Sequence, residues 1–159
     1  MSFAFTPENQ KAFQDLLTRY PNKKAALLPA LWLAQNQHGY LPLDAQELIA
    51  KLLDISPAHV FGVVSFYTMF KDKPVGKYHL QLCRTLSCAL RGADGIIEHV
   101  QKRLNVTPGQ TTKDGKFSLE LVECLASCGT APAMQVNETF AENLTIEKVN
   151  QLLDQLQRE

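Results

Sequence analysis

The sequence is short of cysteine, and the few it has are not scattered. Among 159 residues there are four: Cys83, Cys88, Cys124 and Cys128. None forms a Cys-x-x-Cys pair, which counts against a thiol–disulfide enzyme, the third reading of these residues. No Gly-x-Gly-x-x-Gly follows a strand-like run and no flavin motif is present, which leaves no built-in site for a nicotinamide dinucleotide. Neither sign of charge dominates. The 16 Lys and Arg balance 16 Asp and Glu, and no basic stripe runs along the chain, which argues against nucleic-acid binding. Long apolar runs are missing too: the longest, Ala25 to Ala34, contains Pro29 and is too short to cross a bilayer. The first residues, Met-Ser-Phe-Ala-Phe-Thr-Pro-Glu, show neither the basic nor the apolar region of a secretory signal. Repeats and low-complexity segments are absent. A hydrophobic fraction of 45% and a charged fraction of 20% are those of a globular chain, long enough for one domain or two small ones. The expectation is a soluble protein of a reducing compartment, with any membrane link made through partners.

The four cysteines organise what is present. Each pair follows a period-two alternation: Tyr78, Leu80 and Leu82 against His79 and Gln81, then Phe117, Leu119 and Leu121 against Ser118 and Glu120. Such alternation predicts strands with one buried face. Each strand runs into a loop carrying two thiols. Side by side in one sheet, the strands bring all four sulfurs to its end. Thiols gathered this way have three ordinary fates: disulfides, zinc or an iron–sulfur cluster. Unrelated buried cysteines are a poor reading when none is a stray. Disulfides need an oxidising compartment. Structural zinc prefers tight two-residue knuckles, whereas a [2Fe–2S] rhomb takes two cysteines per iron and suits wider loops. Thr85, Ser87, Ala126, Ser127, Gly129, Thr130 and Ala131 make both loops small and hydroxyl-rich, so backbone N–H groups can approach sulfur. Spacing and loop composition rank a cluster above zinc and leave both open. Beside the thiols, Arg84 favours reduction of such a site and Glu123 disfavours it.

Residues 1–72 predict four amphipathic helices in a small bundle. Residues 1–5 read as loose. Thr6-Pro7-Glu8 opens the first helix and Tyr20-Pro21 stops it. The second runs from Lys23 to His38, with Trp32 as a packing anchor and Gly39 as its stop. Asp44 caps the third, whose buried face is Leu48, Ile49, Leu52 and Leu53. Ser56-Pro57 opens the fourth, with Val60, Val63, Val64, Phe66 and Tyr67 on its apolar side. Phe61, Phe66, Tyr67 and Phe70 are assigned to the core on burial tendency. Asp72 to Gly76 is a turn-rich boundary. Residues 77–159 then predict β-α-β-β-β-α, with a helix over Gly92–Leu104, a hairpin around Asn137-Glu138 and a last helix capped by Thr145. The class is α+β: a helical bundle followed by an α/β domain like a pared-down thioredoxin fold. Ala131-Pro132 stands where such folds often place a cis-proline, so a cis bond is expected there.

These residues resemble the NuoE family, the [2Fe–2S] subunit of NADH:quinone oxidoreductase (respiratory complex I), over nearly the whole chain. The resemblance is carried by Leu33-Ala34-Gln35 with His38-Gly39-Tyr40-Leu41, by Val60 to Tyr67, by Cys83 with Cys88, by Pro108-Gly109-Gln110-Thr111-Thr112 with Asp114-Gly115, and by Cys124-Leu125-Ala126-Ser127-Cys128 with Ala131-Pro132. One departure is Ala126, where the family commonly has glycine. The resemblance implies a thioredoxin-like ferredoxin domain holding one [2Fe–2S] cluster on Cys83, Cys88, Cys124 and Cys128. It implies a subunit of an oxidoreductase (a translocase) with no substrate site of its own. It also implies a flavoprotein partner, NuoF-like, that carries FMN and oxidises NADH, on the cytoplasmic side of the cytoplasmic membrane. The helical bundle is the expected clasp for that partner. Homologous diaphorase subunits of NAD-linked hydrogenases and formate dehydrogenases share the cysteine pattern and remain alternatives. A zinc-stabilised interaction module is the alternative of another class.

Overall fold

A computed structural model describes residues 3–159, which divide into two compact units that meet between Pro74 and Val75. The first unit is helical: α1 (Pro7–Arg19), a 3-10 turn (Lys23–Ala26), α2 (Leu27–His38), α3 (Leu43–Leu53) and α4 (Pro57–Phe66). Local chemistry sets most of these ends. Thr6 Oγ1 accepts the Asn9 N–H at 3.3 Å and Ser56 Oγ accepts that of His59 at 3.2 Å, each with proline at the first helical position. Gly39 closes α2 in the left-handed region at φ +90° and donates to Gln35 O at 2.7 Å. The second helix begins later than Lys23. Asn22 caps a 3-10 turn first, and an α-helix starting at Leu27 keeps Pro29 in its first turn, where a missing N–H breaks no bond.

Four expectations for this unit are corrected. Asp44 does not cap α3, which Pro42 precedes. Its Oδ2 instead accepts the Phe3 N–H at 2.7 Å, so residues 3–5 are tethered rather than loose; residues 1 and 2 lie outside the described residues. The buried face of α3 is Ala45, Gln46, Ile49, Ala50 and Leu53, with Leu48 and Leu52 at its margin. Gln46 Nε2 donates there to Leu41 O (2.8 Å), while its buried Oε1 has no hydrogen-bond partner among the described residues, and Gln35 binds Met69 O (3.0 Å) and the Lys71 N–H (2.8 Å). Of the aromatics assigned to the core, only Phe70 is buried. Val60 and Val64 set the inward stripe of α4, and at 100° per residue Phe61 and Phe66 fall outside it, 51% and 77% exposed.

The second unit is a mixed sheet in the order β2-β1-β3-β4, from β1 (Tyr78–Cys83), β2 (Phe117–Val122), β3 (Met134–Val136) and β4 (Thr139–Ala141). β1 and β2 are parallel and joined through α5 (Leu86–Leu90) and α6 (Ala93–Leu104); β3 is antiparallel to both β1 and β4. Thr145 Oγ1 caps α7 (Ile146–Arg158) as expected, taking the Lys148 N–H at 3.2 Å. Ile96, Ile97 and Val100 of α6 and Val149, Leu153 and Leu156 of α7 cover Tyr78, Leu80, Leu82, Phe117, Leu119 and Met134. The opposite face departs from simple alternation, since His79, Gln81 and Ser118 are buried as well. β1 is a central strand, paired on both edges, and His79 Nε2 meets Glu120 Oε2 across it at 3.0 Å. The Gly109–Thr112 loop in turn bonds along the outer edge of β2, with Gly109 N–H on Leu119 O and Leu119 N–H on Gln110 O.

Candidate metal centre

The register of β1 on β2 builds the site. Cys83 stands opposite Val122 as the last residue of β1, so the chain leaves both strands at the same end of the sheet, side by side. From β1 it passes through Thr85 into α5, which carries Cys88. From β2 it passes through Glu123 to Cys124 and then into a 3-10 turn that begins at Cys128. Cys83 and Cys88 are buried, packed with Ala93, Ala131 and Ala133; Cys124 and Cys128 are exposed. The Sγ atoms of Cys124 and Cys128 are 3.5 Å apart, and the Cys83 and Cys88 thiols influence one another's ionisation. Cys83 also lies within electrostatic reach of Cys124, and Cys88 of Cys128.

Hydrogen-bond donors point at these sulfurs. Thr85 leaves its hydroxyl out of helix capping; Oγ1 is 3.2 Å from Cys83 Sγ and also helps lower the Cys124 thiol. Burial pushes the Cys83 thiol up, but the Thr85 hydroxyl with the N–H groups of Thr85 and Leu125 outweighs it, and the net direction is down. The Ala126 N–H, 3.3 Å from Cys124 Sγ, is the main cause holding that thiol below its ordinary range, helped by Cys128. Cys88 goes the other way: burial and the neighbouring Cys83 sulfur raise it, against the Ala133 N–H. One thiol of each pair thus has its anionic form favoured.

The second loop is strained where the sequence departs from the family pattern. Ala126 sits at φ +59°, a left-handed angle that costs an alanine about 1 kcal/mol over glycine. The Ala131–Pro132 bond is cis, as expected. Arg84 and Glu123 do not act apart. The guanidinium binds Glu123 Oε1 through Nε (3.1 Å) and Nη2 (2.7 Å), an exposed bridge between the two cysteine loops that balances their charges. Sequence reasoning missed Glu142, which follows β4 and accepts hydroxyl hydrogen bonds from Ser127 and Thr130. Nothing near it in the sequence announces this, because the contact depends on how β4 returns beside the loop.

The thiols come as one pair from each loop, with hydrogen-bond donors beside them. Among the described residues no three His, Cys, Asp or Glu side chains form one group close enough to hold an ion. A single tetrahedral zinc, bonded at about 2.3 Å, needs four sulfurs each roughly 3.8 Å from the others. Pairs of sulfurs with N–H and O–H donors around them suit a two-iron rhomb, which takes two cysteines at each iron.

Comparison with known proteins agrees with that chemistry. A family model described as thioredoxin-like [2Fe-2S] ferredoxin matches residues 13–157. The E subunit of NADH-quinone oxidoreductase from Rickettsia bellii (strain RML369-C) is 41% identical over 161 residues, covering 99% of this chain and 96% of its own. The E 2 subunit of NADH-quinone oxidoreductase from Rhizobium meliloti (strain 1021) is 40% identical over 136 residues, covering 86% of this chain and 81% of its own. Among solved structures, the air-oxidized NAD+-reducing [NiFe]-hydrogenase superposes with a TM-score of 0.72 at 22% identity; the match takes in 84% of this chain and 23% of that one, a likeness of fold. With the family match running from the first helix into the last, and relatives at such identity over almost their whole length, the chain belongs to the thioredoxin-like [2Fe–2S] ferredoxin family.

Proposed function

We propose that this chain carries one [2Fe–2S] cluster on Cys83, Cys88, Cys124 and Cys128 and serves as the NuoE-type electron-transfer subunit of an NADH:quinone oxidoreductase. The observation that carries the reading is the placing of two thiols on each of two loops that leave the common end of a parallel strand pair, in a chain of this family. When bound, the cluster supplies a one-electron acceptor. The protein's part is to hold and tune it. The buried Cys83 and Cys88 anchor the site in the fold, and the exposed Cys124 and Cys128 bring it to the surface where electrons enter or leave. Thr85 and the N–H groups of Leu125, Ala126 and Ala133 stabilise negative charge on sulfur.

The donor in this reading is the FMN of a NuoF-like subunit that oxidises NADH, on the cytoplasmic side of the membrane. No helix among the described residues is long and apolar enough to cross a membrane. An interaction surface is available: Phe61, Phe66, Tyr67 and Met69, on and after α4, are exposed aromatic and thioether side chains of the kind enriched at interfaces. They support the helical unit, residues 1–72, as the clasp, with residues 77–159 as the cluster domain. Loss of partner binding on deleting 1–72 is the result this requires.

Anaerobically purified protein tests the main claim through its absorption spectrum with iron, sulfide and zinc analysis. Visible bands that bleach with dithionite, with iron and sulfide in equal amounts, are expected. A colourless protein holding zinc, in which cluster reconstitution also fails, would overturn it in favour of a zinc-stapled module. The flavoprotein that co-purifies separates a complex I component from the diaphorase of a hydrogenase or formate dehydrogenase.

The Arg84–Glu123 pair yields a further expected result. Arg84→Ala removes a cation and leaves Glu123 unbalanced beside Cys124, so the site resists an added electron. A fall in midpoint potential on the order of tens of millivolts is expected in a spectroelectrochemical titration at low salt, smaller at high salt. An unchanged or raised potential would contradict it.

A further inference from the structure

We propose that Glu142 is the positioning residue of the second cysteine loop, holding Cys124–Cys128 in its ligating shape by gathering the hydroxyls of Ser127 and Thr130 onto one carboxylate oxygen. The proposal rests on the cluster reading above. Glu142 Oε1 accepts from both Ser127 Oγ and Thr130 Oγ1, the latter at 2.9 Å, and the two hydroxyls are themselves 2.6 Å apart. The backbone beside Glu142 closes on the same stretch: the Asn143 N–H donates to Thr130 O at 2.7 Å and the Leu144 N–H to Pro132 O at 3.0 Å. Residues 142–144 therefore clamp the chain on the far side of Cys128.

The loop has little else to hold it. Cys124, Ala126, Cys128 and Gly129 are exposed, and Leu125 alone packs into the small apolar cluster around Cys83 and Cys88. Ala126 carries an unfavourable backbone angle that the surroundings must enforce. Where apolar packing is thin, hydrogen bonds to a charged acceptor are the strong restraint available. The Ser127 hydroxyl, and then that of Thr130, hold the Glu142 carboxyl below the usual range, which keeps it the charged acceptor. Ser127 and Thr130 flank Cys128, so their common anchor fixes where its sulfur points.

The test compares Glu142→Ala, Glu142→Gln and the double variant Ser127→Ala/Thr130→Val in the full-length chain. Glutamine keeps an acceptor oxygen for both hydroxyls; alanine keeps none. After reconstitution, Glu142→Ala is expected to yield its iron to a ferrous chelator roughly tenfold faster or more. Its reduced EPR signal is expected to broaden. Glu142→Gln is expected to stay within about threefold of the parent protein, and adding Glu142→Ala to the double variant to have little further effect. Glu142→Ala within twofold of the parent, or Glu142→Gln as labile as Glu142→Ala, would overturn the proposal. Hydrogen exchange on the apo chain gives an independent readout. Amides of residues 124–132 are expected to exchange faster in Glu142→Ala while those of β1 do not, and a uniform change would show general destabilisation and count against the clamp. If the parent protein takes up no iron, the ligation reading fails, and exchange in the apo chain still decides the clamp.

Discussion

Cys88→Ser is expected to leave the protein without a cluster, while Cys128→Ser keeps one with an altered spectrum. Both changes replace a sulfur by an oxygen that binds iron at shorter range, so the ligand must move inward. Cys128 is exposed, with solvent rather than packed side chains around its sulfur, and water is at hand for any valence left open. Cys88 is 2% exposed, held in α5 and packed against Ala93 and Ala133. An anionic serine oxygen there must be desolvated without room to adjust, and any hydroxyl left unligated is a polar group buried in a small apolar cluster with the Ala133 N–H beside it. Iron content after reconstitution and the visible spectrum measure the difference. Cys88→Ser is expected to hold less than about a tenth of the parent's iron, since a penalty of 1.4 kcal/mol already gives tenfold. Cys83→Ser, at the end of the central strand, belongs with Cys88→Ser, and Cys124→Ser with Cys128→Ser. Equal retention across the four would show that burial does not govern ligation here.

Gly76→Ala is expected to destabilise the second unit by about 2–4 kcal/mol. A Cβ at this position would lie 2.8 Å from Phe117 C, 2.9 Å from Lys116 C and 2.9 Å from Phe117 N. These are backbone atoms at the start of β2, and no side-chain rotation relieves the contact. The same stretch enters β1: the Gly76 N–H donates to Ser118 Oγ at 2.5 Å and that of Tyr78 to Lys116 O at 2.8 Å. A methyl group here wedges β1 from β2 at the first rung of the register that ends with Cys83 opposite Val122. For a unit of this size the thermal midpoint is expected to fall by roughly 10–20 °C, read by circular dichroism or calorimetry. A drop of less than about 3 °C would show that the strand start yields. Cluster incorporation is expected to suffer alongside, because the two cysteine loops hang from these strands.

The features legible in the sequence share one property, short range. Thr6, Ser56 and Thr145 each cap a helix by bonding an N–H three residues on, so the signal and its structure occupy the same few residues. Gly39 ends α2 for a reason contained in its own backbone. The strands into each cysteine loop could be read from alternation on the core side. Asp44 shows where this stops. Its local sequence offers a cap, but the carboxylate is taken by the Phe3 N–H, a contact across 41 positions. Phe61 and Phe66 show it again, since composition says that they are apolar and only the packing of Val60 and Val64 says which way α4 turns. Burial of His79, Gln81 and Ser118 followed from β1 being a central strand, a fact of topology that alternation does not carry.

By itself, then, the sequence determined the helical and α/β halves, the two thiol pairs and the loop composition around them, because each is written in neighbouring residues. The tertiary structure decided the rest. It brought residues 83–88 and 124–128 to one sheet end through a parallel register, set Cys83 and Cys88 inside and Cys124 and Cys128 outside, paired Arg84 with Glu123, and delivered Glu142 to Ser127 and Thr130. Those outcomes depend on which strands neighbour one another and in what register, a choice made by burying the whole apolar face at once rather than by any local run of side chains.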